Sequence, residues 1–513
     1  MIKIERKFWP LLMLAGILTL YLLLPTKNYF WDGVDFAQHI EGATKLDASL
    51  LHPNHLFYNA FGYLIYRATH ALGLSWRAIE ALQIANSVLS ILAAYIFFLI
   101  VKRSLKSPYL SYVLTLLFSL SATWWKYSTD ADSYIPSVLF IILSFYFVLP
   151  DKPARPFLVA LLHSASMMFH QMAVFFFPVL VVGIYLQTRE EAERRRLIKV
   201  IEYCAAAFII TLTTFYFSFH LQTGSYDFQR FFQWTTSLSP EPGHSFSVWG
   251  NLVYTVNGHV KLFTSGRILY LKNSLSFTTI ALVSVLLILT AMLVWKLARH
   301  FGELKLFFST LFQKDERFKL LRTLCAVWII TFLVFQYFFV PQHTFYRLFY
   351  LPAILLLIGT YLAQFDSAQA HTHRRYRAAL LVTIIAISNL TFYIWPLSKV
   401  ENFPPLEMAL KLQDAWKPGT VVYFASRNSD NSLARYFNPS VIWIETDRER
   451  MESELQRKQG RDAWMETSLI ELYQSTSEGR HWLETHTIER PEYELVNDKY
   501  KLQFFQLRPD VPF

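Results

Sequence analysis

The chain has 513 residues, of which 53% are hydrophobic and only 17% charged, and it contains 45 phenylalanines. Soluble domains carry roughly 25% charged residues, so this composition excludes a string of soluble domains and indicates an integral membrane protein. The net charge of +10 does not indicate a nucleic-acid partner, because Lys and Arg fall in short clusters between apolar runs, where orientation in a membrane accounts for them.

Apolar runs long enough to cross a bilayer recur at 8–25, 79–101, 108–124, 134–150, 156–169, 172–187, 200–221, 274–296, 320–340, 346–364 and 377–396, about eleven transmembrane helices in all. The first follows a basic start but lacks a small-residue cleavage site, so it reads as a retained span rather than a signal peptide. Lys3, Arg6, Lys7, Lys102, Arg103, Lys106, Lys152, Arg155, Arg189, Arg194 to Arg196, Lys199, the lysines of 296–319 and Arg374, Arg375 and Arg377 all fall on one side of these spans. That side is expected to be cytoplasmic, which places the long loops 26–78 and 222–273 and the turns 125–133 and 341–345 outside. The alternation requires 156–187 to be two short helices meeting near His170 and Gln171. Cys204 and Cys325 both lie in apolar runs, so no disulfide framework or thiolate metal site is expected.

The character of the chain changes after Trp395-Pro396, and Pro404-Pro405 marks a boundary. Residues 1–399 are expected to form the membrane domain and 400–513 a small soluble α/β domain on the outer side. In the latter, 421–424, 441–444 and 501–505 read as strands and 450–474 as helical.

Chemistry is therefore sought at the outer ends of the spans. Asp32 and Asp35, in Trp31-Asp32-Gly33-Val34-Asp35-Phe36, stand at i and i+3, on one face if the segment is helical. The bland alternative is a pair of solvated loop acids, one of them capping a helix. The turn Trp124 to Tyr134 adds Lys126, Asp130 and Asp132, with a helix cap by Asp132 or Ser133 as its ordinary explanation. His163, His170 and Gln171 fall in an apolar stretch, where ionisable groups face a cavity or a partner rather than lipid; a satisfied buried histidine is the alternative. Gln342-His343-Thr344-Phe345-Tyr346-Arg347 places a phenol and a guanidinium at the start of a span, and Arg347 either snorkels or meets a phosphate. These groups together suit sugar transfer from a membrane-embedded polyprenyl phosphate: a carboxylate deprotonates the acceptor hydroxyl, and donors stabilise the departing lipid phosphate.

Trp31 to Phe36 is similar to the acidic motif in the first outward loop of the GT-C superfamily of polyprenyl-phosphate-sugar-dependent glycosyltransferases. His52-Pro53-Asn54-His55-Leu56-Phe57-Tyr58 resembles the His-Pro loop element of the protein O-mannosyltransferase-like branch. Phe118 to Tyr134 resembles that branch's segment ending in an acid, any residue, then Tyr, with Asp132 in place of the more usual Glu. Met168-Phe169-His170-Gln171 resembles its histidine-bearing turn. The likeness covers roughly residues 8–187.

The resemblance implies an inverting single displacement with Asp32 as base, Asp35 as second choice, and Asp132 orienting acceptor or base. His170, Lys126 and Arg347 are candidates for the donor phosphate, although nothing in the family pattern places Arg347; Arg267 and Lys272, at the end of the long loop, are alternatives, and Tyr346 is a further donor to the same phosphate. Asp130, His52, His55 and Gln171 are candidates for the acceptor or for positioning. No cofactor is obligatory and no metal-ligand spacing stands out; a divalent cation bridged by Asp32 and Asp132 is the alternative. Expected partners are the polyprenyl-phosphate sugar, membrane lipids and an acceptor protein, lipid or envelope glycan. A transporter or flippase of a lipid-linked sugar is the rival reading, opposed by the absence of an evident inverted repeat. A bacterial inner membrane, with the C-terminal domain in the periplasm, is favoured because the one Asn-x-Ser/Thr match, Asn389-Leu390-Thr391, lies inside a span.

Overall fold

A computed structural model describes residues 8–149, 153–236, 246–266, 277–299, 315–366, 371–425, 429–447, 450–451, 462–487, 491, 493–496 and 501–508. The chain divides into two compact units: Met1–Thr26 with His39–Pro396, and Lys27–Gln38 with Leu397–Phe513. The division therefore moves 27–38, which carries Asp32 and Asp35, out of the helical unit to which the sequence assigned it.

The first unit is helical. Among the described residues, five stretches are long and apolar enough to cross a membrane: Ala78–Leu105, Glu193–Thr223, Thr279–Arg299, Glu316–Phe339 and Arg377–Leu397. Six shorter apolar helices accompany them: Trp9–Leu23, Pro108–Leu120, Tyr134–Phe147, Pro156–Phe169, Gln171–Gln187 and Leu351–Phe365. The chain is an α-helical polytopic membrane protein with a small C-terminal sheet domain. Several helices open on Pro at their first or second position, where the missing N–H costs nothing, as at Pro108 and Pro156.

The long loops expected outside contain helices of their own among the described residues. Residues 26–78 contain helices Trp31–Gly42 and Tyr58–Ala71, and 222–273 contain Phe228–Thr236 and Val248–Phe263. The first part of the expected turn 125–133 belongs to the short helix Ala122–Ser128, because Ser121, at φ −63° and ψ 143°, is extended and ends the preceding helix early. The expected span at 346–364 begins instead as a tight 3-10 turn, Phe345–Phe349, before the helix Leu351–Asp366.

The break at His170 is present. Helix Pro156–Phe169 ends there, His170 is extended at φ −159° and ψ 122°, and the 3-10 segment Gln171–Phe176 leads into helix Phe177–Gln187. His170 makes the break itself, its Nδ1 accepting the Met172 amide hydrogen at 3.1 Å and so satisfying a donor at the start of the new helix. His163 braces the same break: Nε2 donates to the Ala173 carbonyl at 2.9 Å and Nδ1 accepts from the Tyr203 hydroxyl at 2.8 Å. Both ring nitrogens are committed, so His163 is a satisfied core histidine.

The second unit holds a five-stranded sheet in the order β2-β1-β3-β5-β4, with β1 Val421–Phe424, β2 Ile442–Glu445, β3 Ala463–Glu466, β4 Tyr493–Val496 and β5 Lys501–Gln506. Strands β2, β1 and β3 are parallel, β5 runs antiparallel to β3, and β4 antiparallel to β5. All four β1 residues are buried, as expected for an inner strand of a parallel set. The helical expectation for 450–474 is corrected at one place: Ala463–Glu466 is a strand pairing between β1 and β5, while Arg450, Met451 and Thr467–Gln474 are helical and 452–461 lie outside the described residues. Polar composition around 450–461 suggests helix, but two neighbouring strands override local preference at 463–466. Segment 27–38 joins this unit through the Lys27 amide, which donates to the Leu397 carbonyl at 2.7 Å, and Gln38, which donates to the Ser432 carbonyl at 3.2 Å.

Candidate functional site

Four segments of the helical unit converge. The 3-10 turn Pro53–His55 is tied to the break at His170: the Phe57 amide donates to the Met168 carbonyl at 3.0 Å, and Gln171 donates to the Pro53 carbonyl at 2.8 Å. Helix Ala122–Ser128 and the turn after it supply Lys126, Asp130 and Asp132. The 3-10 turn Phe345–Phe349 supplies Tyr346.

Lys126 and Asp130, one helical turn apart, form an ion pair, and both are buried. Lys126 also lies 4.2 Å from the centre of the Tyr127 ring, and Asp130 Oδ1 accepts the Ala131 amide at 2.9 Å. Asp132 is fully buried and accepts the Ser133 amide at 2.6 Å through Oδ1. Ser133 stands at the N-cap of the following helix and makes no side-chain capping bond. The Ser133 hydroxyl lies 2.7 Å from His55 Nδ1. His55 stacks on His52 at 5.6 Å and meets His170 edge to face at 4.7 Å. His170 in turn packs on Tyr134 at 5.0 Å and Tyr346 at 5.9 Å. His52, His55, Lys126, Asp130, Asp132, His170, Gln171 and Tyr346 are thus brought into one linked neighbourhood.

Water exclusion sets the charge states. Burial, reinforced by His52, pulls the His55 pKa down to about 3, so the imidazole is neutral. Burial and then the Asp132 carboxylate push the Tyr58 phenol well above its ordinary value.

A polar stripe that the sequence reading missed holds the acidic turn in place. Gln83, Asn86, Ser87 and Ser90, at i, i+3, i+4 and i+7 on helix Ala78–Leu105, are all buried. Gln83 donates to the Thr26 and Thr129 carbonyls, each at 2.8 Å. Asn86 donates to the carbonyls of Asp130 and Asp132, each at 2.7 Å, and Ser87 to that of Ser128 at 2.9 Å. The signal was in the sequence: four polar residues on one face of an apolar span point inward.

Arg347 is fully buried and its guanidinium is engaged by backbone oxygens: Nη1 donates to His343 at 2.8 Å and Nη2 to Pro341 at 2.8 Å. Nη2 also faces the Tyr254 and Thr255 carbonyls at 3.5 and 3.4 Å. These bonds tie both terminal nitrogens to backbone carbonyls of the fold. Asp32 and Asp35 are half-buried on helix Trp31–Gly42, in the other compact unit. Arg267 and Lys272 lie outside the described residues.

The fold is that of the GT-C glycosyltransferases. The chain is similar to ArnT from Cupriavidus metallidurans bound to undecaprenyl phosphate, with a TM-score of 0.61 at 11% identity over 98% of each chain. Against the apo state of that protein the TM-score is 0.59, at 12% identity and the same coverage. No protein-family profile matches the sequence, and no curated protein matches it significantly. The likeness is one of fold and does not single out the O-mannosyltransferase-like branch.

Proposed function

We propose that this protein transfers a sugar from a polyprenyl-phosphate donor to an acceptor hydroxyl at the outer face of the membrane. The observation that carries the reading is the buried cluster of Lys126, Asp130, Asp132, His55 and His170 at the helix ends of an apolar GT-C fold. Ionisable groups held there at the expense of solvation are a mark of function in membrane proteins. The neighbour bound to undecaprenyl phosphate supports a lipid phosphate as the leaving group.

In this reading the acceptor oxygen bonds to the anomeric carbon as the bond from that carbon to the phosphate oxygen breaks, with inversion. The acceptor proton passes to a carboxylate, and the lipid phosphate leaves with the electron pair. Asp32 is the proposed base and Asp35 its substitute, a proposal resting on their motif and helix alone. His170, Lys126 and Tyr346 are the proposed phosphate donors, with Arg267 and Lys272 as further candidates from the sequence. Asp132, Asp130, His52, His55 and Gln171 position the acceptor. No cofactor is required, a divalent cation being the alternative. The proposed location is a bacterial inner membrane with the C-terminal domain in the periplasm, and the acceptor is a protein, a lipid or an envelope glycan.

The test uses the full chain in nanodiscs with a panel of radiolabelled undecaprenyl-phosphate hexoses and pentoses and an envelope extract as acceptor. Wild type is expected to transfer label from one donor. Asp32→Asn should lower the rate by about 100-fold or more with expression and thermal stability kept. Full activity in Asp32→Asn removes it as base and passes the role to Asp35. Movement of intact donor across vesicles without any transfer would replace the reading with a flippase.

A further inference from the structure

The two helices of segment 222–273 do not stand out from the membrane as parts of a solvated loop would. Helix Phe228–Thr236 folds back on the span before it, Glu193–Thr223. Gly224, at φ +68°, ends that span, and Phe231 then packs on Tyr216 at 5.3 Å and on Phe219 at 5.7 Å, while Trp234 Nε1 donates to Gln222 Oε1 at 2.8 Å. Tyr216 and Phe219 belong to the apolar run 200–221. The helix therefore sits beside the last turns of the span, at the depth of its apolar end. Helix Val248–Phe263, about 24 Å long at 1.5 Å per residue, lies across the same ends of other spans. Near its start Asn251 donates to the Tyr337 carbonyl at 2.7 Å, two residues from the end of helix Lys319–Phe339. Near its finish the Lys261 carbonyl accepts from Thr123 at 3.1 Å and the Phe263 carbonyl from Asn389 at 2.8 Å.

Each helix has three faces. On the first, Phe231 is buried against the protein, Phe228 and Phe232, at i and i+4, are 65% and 61% exposed, and Gln229 and Gln233 form a polar edge 100° further round. On the second, Asn251, Gly258 and Leu262 face the protein. Trp249, Leu252, Val253, Val256 and Val260 form an exposed apolar face, with Trp249 76% exposed, and Asn257 and Lys261 are exposed beyond it. A helix lying in a membrane surface needs this order of faces: protein on one side, acyl chains below, headgroups above. The apolar faces also continue the exposed Phe217 and Leu221 of span Glu193–Thr223, whose outward side faces lipid.

We propose that helices Phe228–Thr236 and Val248–Phe263 are seated in the bilayer interface at the site-bearing end of the spans, with their exposed apolar faces in the outermost acyl region and their polar edges among the headgroups. The partner of this surface is lipid. Helix Phe228–Thr236 then stands between the bilayer and the candidate site: Phe231 shares an apolar cluster with Leu56 and Met168, and the Thr235 carbonyl accepts from Gln171 at 3.3 Å.

Two measurements on the full chain in nanodiscs test it. Nitroxide labels are placed singly by Phe232→Cys, Val256→Cys, Gln233→Cys and Asn257→Cys in a Cys204→Ala, Cys325→Ala background. Oxygen, which concentrates in the acyl region, should relax the labels at 232 and 256 more than an aqueous nickel complex does, at a depth of about 5–10 Å. The order should reverse at 233 and 257. The second measurement keeps both native cysteines. In lipid brominated near the top of its acyl chains, the part of the tryptophan emission removed by Trp249→Phe should be quenched relative to unbrominated lipid. Labels at 232 and 256 open to the nickel complex overturn the proposal, as does an unquenched Trp249. Labels closed to both probes overturn it as well, because a protein partner would then cover these faces. Neither readout involves sugar transfer, so the proposal stands or falls apart from the glycosyl-transfer reading.

Discussion

His55 gives up its water on folding, and the depression of its pKa from 6.5 to about 3 has a direct cost in acid. Above pH 6.5 both folded and unfolded chains hold it neutral and nothing is lost. Below that, the unfolded chain binds a proton that the folded chain refuses, so stability falls as pH drops from 6.5 towards about 3. Thermal unfolding across this window should show the loss, and His55→Gln should flatten it. The Lys126–Asp130 pair gives a second outcome at this scale. Asp130→Asn leaves a buried ammonium without its carboxylate and should destabilise the chain by about 3–5 kcal/mol. Adding Lys126→Met should recover much of the loss, read as the thermal midpoint of each variant. Residue types in these motifs were legible in the sequence; their partners were not, since Lys126 faces Asp130 because Ala122–Ser128 is a helix and not the turn expected there.

At the scale of elements, helix Ala78–Leu105 serves as the rail on which the acidic turn hangs. Asn86→Leu should leave the Asp130 and Asp132 carbonyls buried without that donor, costing about 1–3 kcal/mol and lowering transfer as well as stability. The 3-10 turn Phe345–Phe349 is set against helix Val248–Phe263 by Arg347, whose guanidinium fills the space a Cβ at Gly258 would need. Gly258→Ala must displace that guanidinium and should cost about 1–3 kcal/mol by overpacking, visible as a lower thermal midpoint. Apolar run length located the five helices that, among the described residues, are long enough to cross a membrane, because a helix in lipid must satisfy its backbone internally. It could not locate the breaks at Ser121 and His170 from hydropathy alone. The second was found only because the Lys and Arg alternation required it.

Across the whole helical unit, Asn389 joins segments remote in sequence. Its Nδ2 donates to the carbonyls of Leu120 and Phe263, each at 2.8 Å, and its Oδ1 accepts the Ser265 amide at 3.3 Å. It is fully buried and begins the π-helical stretch Leu390–Ile394, where an added residue frees backbone groups for such contacts. Asn389→Leu should therefore lower the thermal midpoint by the equivalent of about 1–3 kcal/mol. The same burial explains why the Asn-Leu-Thr match there is structural.

Composition and the spacing of apolar runs determined on their own that this is a polytopic membrane protein, because only long apolar helices solve the backbone problem in a bilayer. The strands read at 421–424 and 501–505 were also legible, from local apolar and aromatic runs, and form as Val421–Phe424 and Lys501–Gln506. Tertiary structure alone decided that Ala463–Glu466 is a strand, since its neighbours β1 and β5 come from distant sequence. It likewise decided that Arg347 holds backbone carbonyls and that Asn86 holds the acidic turn. Chemistry-bearing residue types can be read along a chain, whereas the hydrogen bonds that commit them to ligand or to fold are made across it.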